Sequence, residues 1–341
     1  MTTSLHTPLS VLDLALVGTG QTSADALHAT SRLARRAEDL GAVRFWVAEH
    51  HNIPSVASTS PAVLIAHLAA TTSRMRVGSG GVMLPNHPPL VVAEQFAMLE
   101  ALHPGRIDLG IGRAPGTDPT TAAALRRSPD ALGAEDFPVH LTDLLGMLGD
   151  RRMADGLTSR LRATPSASGT PNVFLLGSSG FSAQLAGMLG LPFAFAHHFS
   201  TGNTLPAMEL YRRSFRPSHG LGQPYAVVTA SVVIDESAEQ AQWFARPSQL
   251  MMLSLRSGRP EPLPTPETAA RHPHAELAAG LPTTQIVATP DVAVSSLRQL
   301  VADTEADELM ITIPTHGPAE RLRSLELLAS AWDAAAVAES R

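Results

Sequence analysis

Short apolar runs alternate along the chain with longer segments in which apolar residues recur every three or four positions. The short runs are rich in branched and aromatic side chains, and they predict strands at residues 11–18, 45–47, 76–79, 107–111, 173–176, 193–196, 225–234 and 308–313. The longer segments predict the intervening helices. The first covers residues 24–40 and ends at the C-cap position Gly41, and the second has Ser60 as N-cap and Pro61 in its first turn.

Eight units of strand followed by helix predict a closed (β/α)8 TIM barrel, with residues 1–341 forming a single domain. The competing fold is an open doubly wound sheet, which the glycine cluster Gly110, Gly112 and Gly116 would suit. However, this cluster has the spacing G-x-G-x-x-x-G with Pro115 inside it. It lies in the fourth unit and does not run straight into a helix, so the barrel is the better interpretation.

Two stretches depart from the regular alternation. Residues 115–171 predict an irregular insertion with helices at 120–127 and 135–148, because the part from 151 to 171 is rich in Ser, Thr, Pro and Gly. Residues 257–284 are rich in Pro and Ala and predict a mobile surface loop or lid. Substrate specificity is expected to come from this loop and its neighbours, whose sequence carries no readable signal for a particular substrate.

Composition excludes several classes of protein. The 341 residues contain no cysteine and no lysine, which removes disulfides, thiolate metal sites, Schiff-base chemistry and a Walker A loop. A formal charge of −6 argues against nucleic-acid binding. No apolar run is long enough to suggest a membrane span, and the first residues do not resemble a secretory signal, so a cytoplasmic location is expected.

Polar and glycine-rich clusters directly follow the predicted strands. In a barrel the carboxyl ends of the strands share one face, and that face carries the functional site. Successive side chains of a strand point to opposite faces, so His50 and His51 cannot both face one pocket unless the backbone turns, and one of them is expected to be structural. The residues predicted on this face are Glu49, His50, Gly80, Arg113, Ser178, Ser179 and His198.

Three of these clusters have chemistry that suits a phosphorylated cofactor. The segment GSSGFS, residues 177–182, places hydroxyls at a helix N-terminus, where free N–H groups favour a phosphate, although an ordinary serine N-cap explains it equally well. Arg113 would add a charged contact or form a surface salt bridge. Gly78, Gly80 and Gly81, together with Ser79, let the backbone approach a flat ligand or form a bulge. Without a lysine for pyridoxal phosphate, a flavin mononucleotide is the natural candidate.

Four segments of the chain closely resemble the bacterial luciferase-like flavin monooxygenase family. The segments are RFWVAEHHNIP, RVGSGGVMLPNHPPLVVAEQFAMLEALHPGRIDLGIGRAPGTD, FLLGSSGFSAQLAGMLGLPFAFAHHF and ADELMITIPTHGPAERLRSLELLA. The resemblance covers most of the chain from about residue 9 to 329 and weakens over 151–171 and 257–284. It implies a (β/α)8 barrel that uses reduced FMN, supplied by a separate flavin reductase, and O2 to oxidise an aldehyde, ketone or secondary metabolite through a flavin hydroperoxide. It also implies a homodimer.

The resemblance assigns roles to individual residues. His50 matches the histidine that performs acid–base steps near the flavin, and Arg113 matches the arginine that binds the FMN phosphate. The matching phosphate loop contains Ser178, Ser179, Gly180 and Ser182. Ser79 and Gly80 fall where related proteins carry a non-proline cis peptide beneath the flavin ring, with Gly81 beside it. Glu49 is expected to orient His50 or simply to end the strand, and His198 to line the substrate mouth beside His197.

The sequence also departs from the luciferase pattern, and three alternative functions stay open. Gly112 replaces a reactive cysteine and Ser178 replaces an acid, so light emission is not expected. One alternative is a deazaflavin-dependent dehydrogenase of the same superfamily, and another is a non-catalytic flavin-binding protein. The third is a metal-dependent hydrolase using Glu49, His50, His87 and His198. The first strand lacks the H-x-H motif usual in such hydrolases, so no metal site is predicted.

Overall fold

The computed structural model describes residues 7–125, 136–150, 152–153, 160–199, 202–258 and 260–339. In these residues nine parallel strands form one sheet. They are β1 (Leu9–Asp13), β2 (Arg44–Val47), β3 (Arg76–Met83), β4 (Ile107–Gly112), β5 (Asn172–Gly177), β6 (Phe193–Phe195), β7 (Ala226–Ile234), β8 (Ile286–Ala288) and β9 (Glu308–Thr312).

Eight of the strands close into a barrel, in the order β6-β5-β4-β3-β2-β1-β9-β7, and a pairing between β6 and β7 completes the ring. The predicted (β/α)8 barrel is confirmed, and its eight strands are those predicted from the sequence. The first predicted strand extends too far, because β1 ends at Asp13 and the chain then crosses the rim, where Leu16 pairs with Val56 and Gly18 with Leu263. The sequence missed β8, a three-residue strand that pairs with the last residues of β7 beyond the barrel wall.

Twelve α-helices accompany the strands in the part of the chain that the structure describes. They are α1 (Ser23–Asp39), α2 (Pro61–Thr71), α3 (Pro89–Leu102), α4 (Pro119–Leu125), α5 (Phe137–Met147), α6 (Gly180–Leu189), α7 (Thr204–Ser214), α8 (Ala238–Arg256), α9 (Pro266–Ala270), α10 (Ala275–Ala279), α11 (Pro290–Thr304) and α12 (Pro318–Glu339). The predicted terminus at Gly41 is confirmed by its left-handed φ of +82° just beyond α1. Ser60 occupies the predicted N-cap of α2, but its side chain makes no capping hydrogen bond.

Charged side chains close the amino-terminal end of the barrel. Arg44 donates to Glu308 at 2.7 Å and to Asp108 at 2.8 Å, and Arg76 donates to Asp108 at 2.7 Å. The two buried carboxylates are therefore paired with two guanidinium groups, which offsets the cost of removing four charges from water. Above this layer lies an apolar interior layer of Leu12, Trp46, Ala48, Phe174, Ala194, Val227 and Met310. A site in this barrel is therefore restricted to its carboxyl-terminal end.

Both irregular stretches contain helices; those in the first stretch, α4 and α5, were predicted from the sequence, whereas α9 and α10 in the second were not. Within residues 115–171, α5 packs against α3, and within 257–284, α9 and α10 pack against α8. Leu263 is fully buried, and its backbone exchanges hydrogen bonds with Val17 at 3.1 Å and Thr19 at 2.7 Å. The second stretch is therefore attached to the rim beside β1, while its mobility stays a prediction.

None of the described helices combines the length and apolarity that a membrane-spanning segment requires.

Candidate active site

The rim of the barrel brings Arg113 to the N-terminus of α6. Strands β4 and β5 are neighbours, and Ile111 is paired with Leu175, so the residues that follow the two strands emerge at the same level. The guanidinium carbon Cζ of Arg113 lies 4.3 Å from the centroid of the Phe181 ring, which belongs to the first turn of α6. The predicted convergence of Arg113 with the GSSGFS segment is therefore present in the structure.

The first turn of α6 has donors that the helix itself does not use. Its first internal hydrogen bond joins the N–H of Ala183 to the carbonyl of Ser179 at 3.5 Å, which leaves three earlier N–H groups outside the helical ladder. Ser179 is the N-cap, and its hydroxyl makes no capping bond. Ser178 is exposed, Ser179 and Gly180 are partly exposed, and Ser182 is buried. Together with Arg113, this geometry suits an anion such as a phosphate.

His50 follows β2, is partly buried, and has no partner at one ring nitrogen among the described residues. Its backbone N–H donates to the carbonyl of Ser58 at 3.1 Å, which fixes the main chain. Its Nδ1 atom is buried and has no hydrogen-bond partner among the described residues. Burial lowers the pKa of His50 below its ordinary value, although the charge of Glu49 acts in the opposite direction. A neutral imidazole with an unsatisfied nitrogen is suited to exchange a proton with a bound molecule.

His198 lies in the short 3-10 helix His197–Phe199 after β6, close enough to His50 for the two rings to interact electrostatically. Its Nδ1 donates to the carbonyl of Thr229 at 3.2 Å. A carbonyl only accepts, so the proton is on Nδ1, and Nε2 carries the lone pair while the ring is neutral. Burial lowers the pKa of His198 to about 4, with smaller contributions from His197 and His50. His197 instead hydrogen-bonds with the hydroxyl of Thr204 at 2.8 Å.

Glu49 does not orient His50, contrary to the first of the two roles predicted for it. Its carboxylate is fully buried and accepts hydrogen bonds from His51 Nε2 at 2.8 Å and His87 Nε2 at 2.9 Å. It also accepts from Asn86 Nδ2 at 3.1 Å and from the N–H of Met83 at 2.9 Å. Burial raises the pKa of Glu49, but the hydrogen bonds and the charge of His87 outweigh that effect, and the net pKa lies below its usual value. His51 is therefore the structural member of the histidine pair.

We call Glu49, His51, Met83, Asn86 and His87 the Glu49 cluster. It joins the loops that follow β2 and β3, and two of its members extend the connection to the loop after β4. Asn86 donates to the carbonyl of Pro115 at 2.9 Å, and the N–H of His51 donates to the carbonyl of Gly116 at 3.3 Å. His50 and Arg113 lie in these connected loops, so the cluster holds the main chain at both residues in place.

The glycine segment of β3 differs from its prediction in two respects. The non-proline cis peptide joins Gly80 to Gly81 rather than Ser79 to Gly80. Ser79 is fully buried, and its hydroxyl donates to the carbonyl of Gly110 at 2.9 Å, so this side chain is part of the barrel wall. A Cβ added to Gly81 would lie 2.5 Å from Leu176 Cδ1 and 2.9 Å from the backbone carbonyl oxygen of Gly110, and because the backbone cannot move aside as a side chain can, glycine is favoured there. Of the three predicted residues, Gly80 is the one that is partly exposed.

The side chains proposed for a metal-dependent hydrolase do not form one cluster. Glu49 contacts His87 but bonds neither His50 nor His198, whose Nδ1 is bonded to Thr229. Across the residues that the structure describes, no three His, Asp or Glu side chains are arranged to hold a metal ion.

Comparison with known proteins identifies relatives that cover nearly the whole chain. The sequence profile of the luciferase-like monooxygenase family matches residues 7–324. The protein YvbT of Bacillus subtilis is 47% identical over 331 residues, which is 96% of this chain and 97% of YvbT. A luciferase-like monooxygenase of Escherichia coli strain K12 is 39% identical over 325 residues, which is 93% of this chain and 95% of the relative.

Solved structures agree with these relatives. The crystal structure of apo-MsnO8 is 37% identical, with a TM-score of 0.87 over 96% of this chain and 99% of MsnO8. The oxygenating constituent of the 3,6-diketocamphane monooxygenase of Pseudomonas putida, a Type II Baeyer-Villiger monooxygenase in complex with FMN, has a TM-score of 0.68. It is 16% identical over 95% of this chain and 96% of its own, so it supports the fold alone. From the family profile and these relatives, the chain belongs to the luciferase-like monooxygenase family and is an oxidoreductase.

Proposed function

We propose that this protein is a monooxygenase that uses reduced FMN and O2 to oxidise a small organic substrate such as an aldehyde, a ketone or a secondary metabolite. The observation that carries the proposal is the position of Arg113 at the N-terminus of α6, on the same rim as His50. FMN has an anionic phosphate tail and a redox-active ring. Its binding would therefore require an anion site such as that at Arg113 and a proton-exchanging group such as His50 within one cavity. The proposal would fail if the protein did not distinguish FMN from riboflavin.

The described residues fit FMN at both ends of the molecule. Arg113, the free N–H groups of α6 and the hydroxyls of Ser178 and Ser179 would hold the phosphate, because charge-assisted hydrogen bonds favour an anion there. The partly exposed Gly80 leaves room for a flat ring, and Leu14 and Leu176 are partly buried apolar side chains beside the interior layer. A bound molecule would supply a partner for His50 Nδ1, which is buried and has no hydrogen-bond partner among the described residues.

When bound, reduced FMN would supply the two electrons that activate O2, so that one oxygen atom enters the substrate and the other leaves as water. Neutral His50 would give or take the proton that accompanies this transfer, since its lowered pKa keeps it unprotonated near neutrality. The lone pair on His198 Nε2 would accept a hydrogen bond from the substrate. The segment attached at Leu263 would help to exclude water from the site. A separate flavin reductase would deliver the reduced cofactor.

Removing the Arg113 guanidinium is expected to weaken FMN binding by about 2 kcal/mol, close to thirtyfold, because one charge-assisted contact is lost. Riboflavin lacks the phosphate, so its affinity should change by less than about twofold. The measurement is a flavin-fluorescence titration of the wild type and Arg113→Ala with oxidised FMN and riboflavin, and an anaerobic titration with reduced FMN.

The matched control is Arg323→Ala, which removes an arginine whose partner is Glu236 on the exposed surface. It should bind FMN as the wild type does. Tight binding of a deazaflavin in preference to reduced FMN would instead favour the dehydrogenase alternative. Binding of FMN without reductase-coupled oxygenation of any supplied aldehyde or ketone would favour a non-catalytic flavin-binding protein.

We further propose that two copies of the chain pair through α2 and α3. These helices contact each other and expose large apolar side chains to solvent: Val63 is 72% exposed, Met98 52% and Leu102 63%. Exposed apolar groups concentrated on adjacent helices are typical of a surface that is covered in an assembly. Met98→Glu combined with Leu102→Glu is therefore expected to convert a dimer to a monomer, as measured by light scattering coupled to size-exclusion chromatography.

Val292→Glu provides the control for the dimer experiment, because Val292 is 57% exposed on the distant helix α11. This variant should leave the measured mass unchanged. A wild-type protein that is monomeric at all concentrations would contradict the proposed pairing.

A further inference from the structure

A large aromatic side chain occupies the first turn of α6 without being buried. Phe181 is the second residue of the helix and is 41% exposed. A phenyl ring is unexpected at this position, because the helix terminus beside a polar loop does not bury it in an apolar environment. The ring contacts the guanidinium of Arg113, whose Cζ lies 4.3 Å from the ring centroid. This distance is within the range in which the negative face of an aromatic ring attracts a cation.

We propose that Phe181 is a positioning residue for Arg113, which it holds where the cation and the free N–H groups of α6 can contact the same phosphate. The inference rests on the proposed function, because the phosphate is that of FMN. Phe181 itself need not touch the cofactor. Its role is to restrict the guanidinium, which stands on a long and flexible side chain, before the ligand arrives.

An aromatic ring suits this role better than a carboxylate does. The buried Arg44 and the partly buried Arg76 direct N–H groups at Asp108 at 2.8 Å and 2.7 Å, so these hydrogen-bond donors are already committed. A ring attracts the cation without accepting its in-plane N–H groups, which stay available for phosphate oxygens. Within the described residues, the guanidinium of Arg113 has no carboxylate partner, in agreement with a cation that is reserved for a ligand.

The chain order supports the same assignment. Ser179, Gly180 and Phe181 are consecutive, so the residue that holds the cation is covalently linked to the backbone that supplies the uncharged donors. A shift of α6 would therefore move both groups together and preserve their spacing. The small and hydroxyl residues of this segment are predicted from the sequence to bind phosphate, whereas Phe181 is not among the predicted site residues. An aromatic residue within a phosphate-binding turn was the signal that could have identified it.

The test is a double-mutant cycle on the full-length protein that compares FMN with riboflavin. Phe181→Leu keeps an apolar side chain but removes the ring, and a cation–π contact at an exposed site predicts about two- to fivefold weaker FMN binding. Riboflavin affinity should change by less than about 1.5-fold, and Phe181→Tyr should retain wild-type preference for FMN. In the Arg113→Ala background, Phe181→Leu should have no further effect on FMN, because the cation that it positions is absent.

Met188→Leu is the matched control, since Met188 is 48% exposed on the same helix but near its other end. It should leave both affinities unchanged. Equal weakening of FMN and riboflavin by Phe181→Leu, or the same loss with and without Arg113, would overturn the positioning role. A wild-type protein that binds FMN no better than riboflavin would instead overturn the proposed function itself, so the two failures are distinguishable.

Discussion

Glu49→Ala is expected to lower the free energy of unfolding by about 3–5 kcal/mol, which would be among the largest effects of any single substitution in this chain. The carboxylate is fully buried and accepts hydrogen bonds from His51, His87, Asn86 and the N–H of Met83. Its removal leaves these donors without their acceptor in a place that water reaches poorly. Urea unfolding followed by circular dichroism measures the loss as a lower midpoint.

The same cluster predicts how stability depends on pH. The pKa of Glu49 in the folded protein lies below its ordinary value of 4.5, so its stabilising contribution is fully present above that value and is lost as the pH falls through the lowered pKa. Between pH 6 and pH 3.5 the wild type should therefore lose more stability than Glu49→Ala does. Parallel losses in the two proteins would show that Glu49 does not carry this dependence.

Glu326→Ala is the control for removal of a carboxylate. Glu326 pairs with Arg36 at 2.7 Å on the partly exposed surface, where such pairs contribute about 0–1 kcal/mol. An effect of Glu49→Ala no larger than that of Glu326→Ala would contradict the structural importance of the Glu49 cluster.

His50→Gln is expected to reduce product formation at least about a hundredfold while FMN affinity changes by less than about threefold. Glutamine keeps the polarity and approximate size of the side chain but cannot exchange a proton near neutral pH, and general acid–base groups contribute about 10²–10⁴ to rate. The measurement is reductase-coupled turnover of a panel of aldehydes and ketones, with product quantified by chromatography. Flavin titration of the same preparation separates catalysis from binding.

His67→Gln is the matched histidine control. His67 lies on α2 and hydrogen-bonds with Ser31 at 3.0 Å, away from the carboxyl-terminal rim, so turnover should stay at the wild-type level. If His50→Gln retained full activity, the proton would have to come from another group, and the assignment of His50 would be wrong.

The barrel follows from the sequence because its strands and helices are encoded locally. Most strands that form the wall are compact runs rich in branched or aromatic residues, and most helices begin and end within a few residues of their predicted limits. The exceptions are also local. The strand β8 has three residues, which is too short for a periodic signal, and the short helices α9 and α10 lie among prolines that indicated an irregular loop.

The sequence also predicted that the candidate site lies on the rim. Polar clusters that directly follow parallel strands must share the carboxyl-terminal face of a barrel, and this rule placed His50, Arg113 and the GSSGFS segment together. That segment was predicted to bind phosphate for two reasons. It contains hydroxyls and small residues, and the flanking motifs resemble those of the family. None of this required knowledge of a contact between distant residues.

Only the tertiary structure decided which side chains pair within the site. Glu49 could have faced either of its neighbouring histidines, and it binds His51 together with Met83 and His87, which lie 34 and 38 positions further along the chain. The contact between Arg113 and Phe181 likewise joins two loops, and the sequence of neither loop indicates that these two side chains touch. Local patterns encode where a strand ends, whereas hydrogen-bond partners depend on the register and spacing of neighbouring strands, which exist only once the barrel has closed.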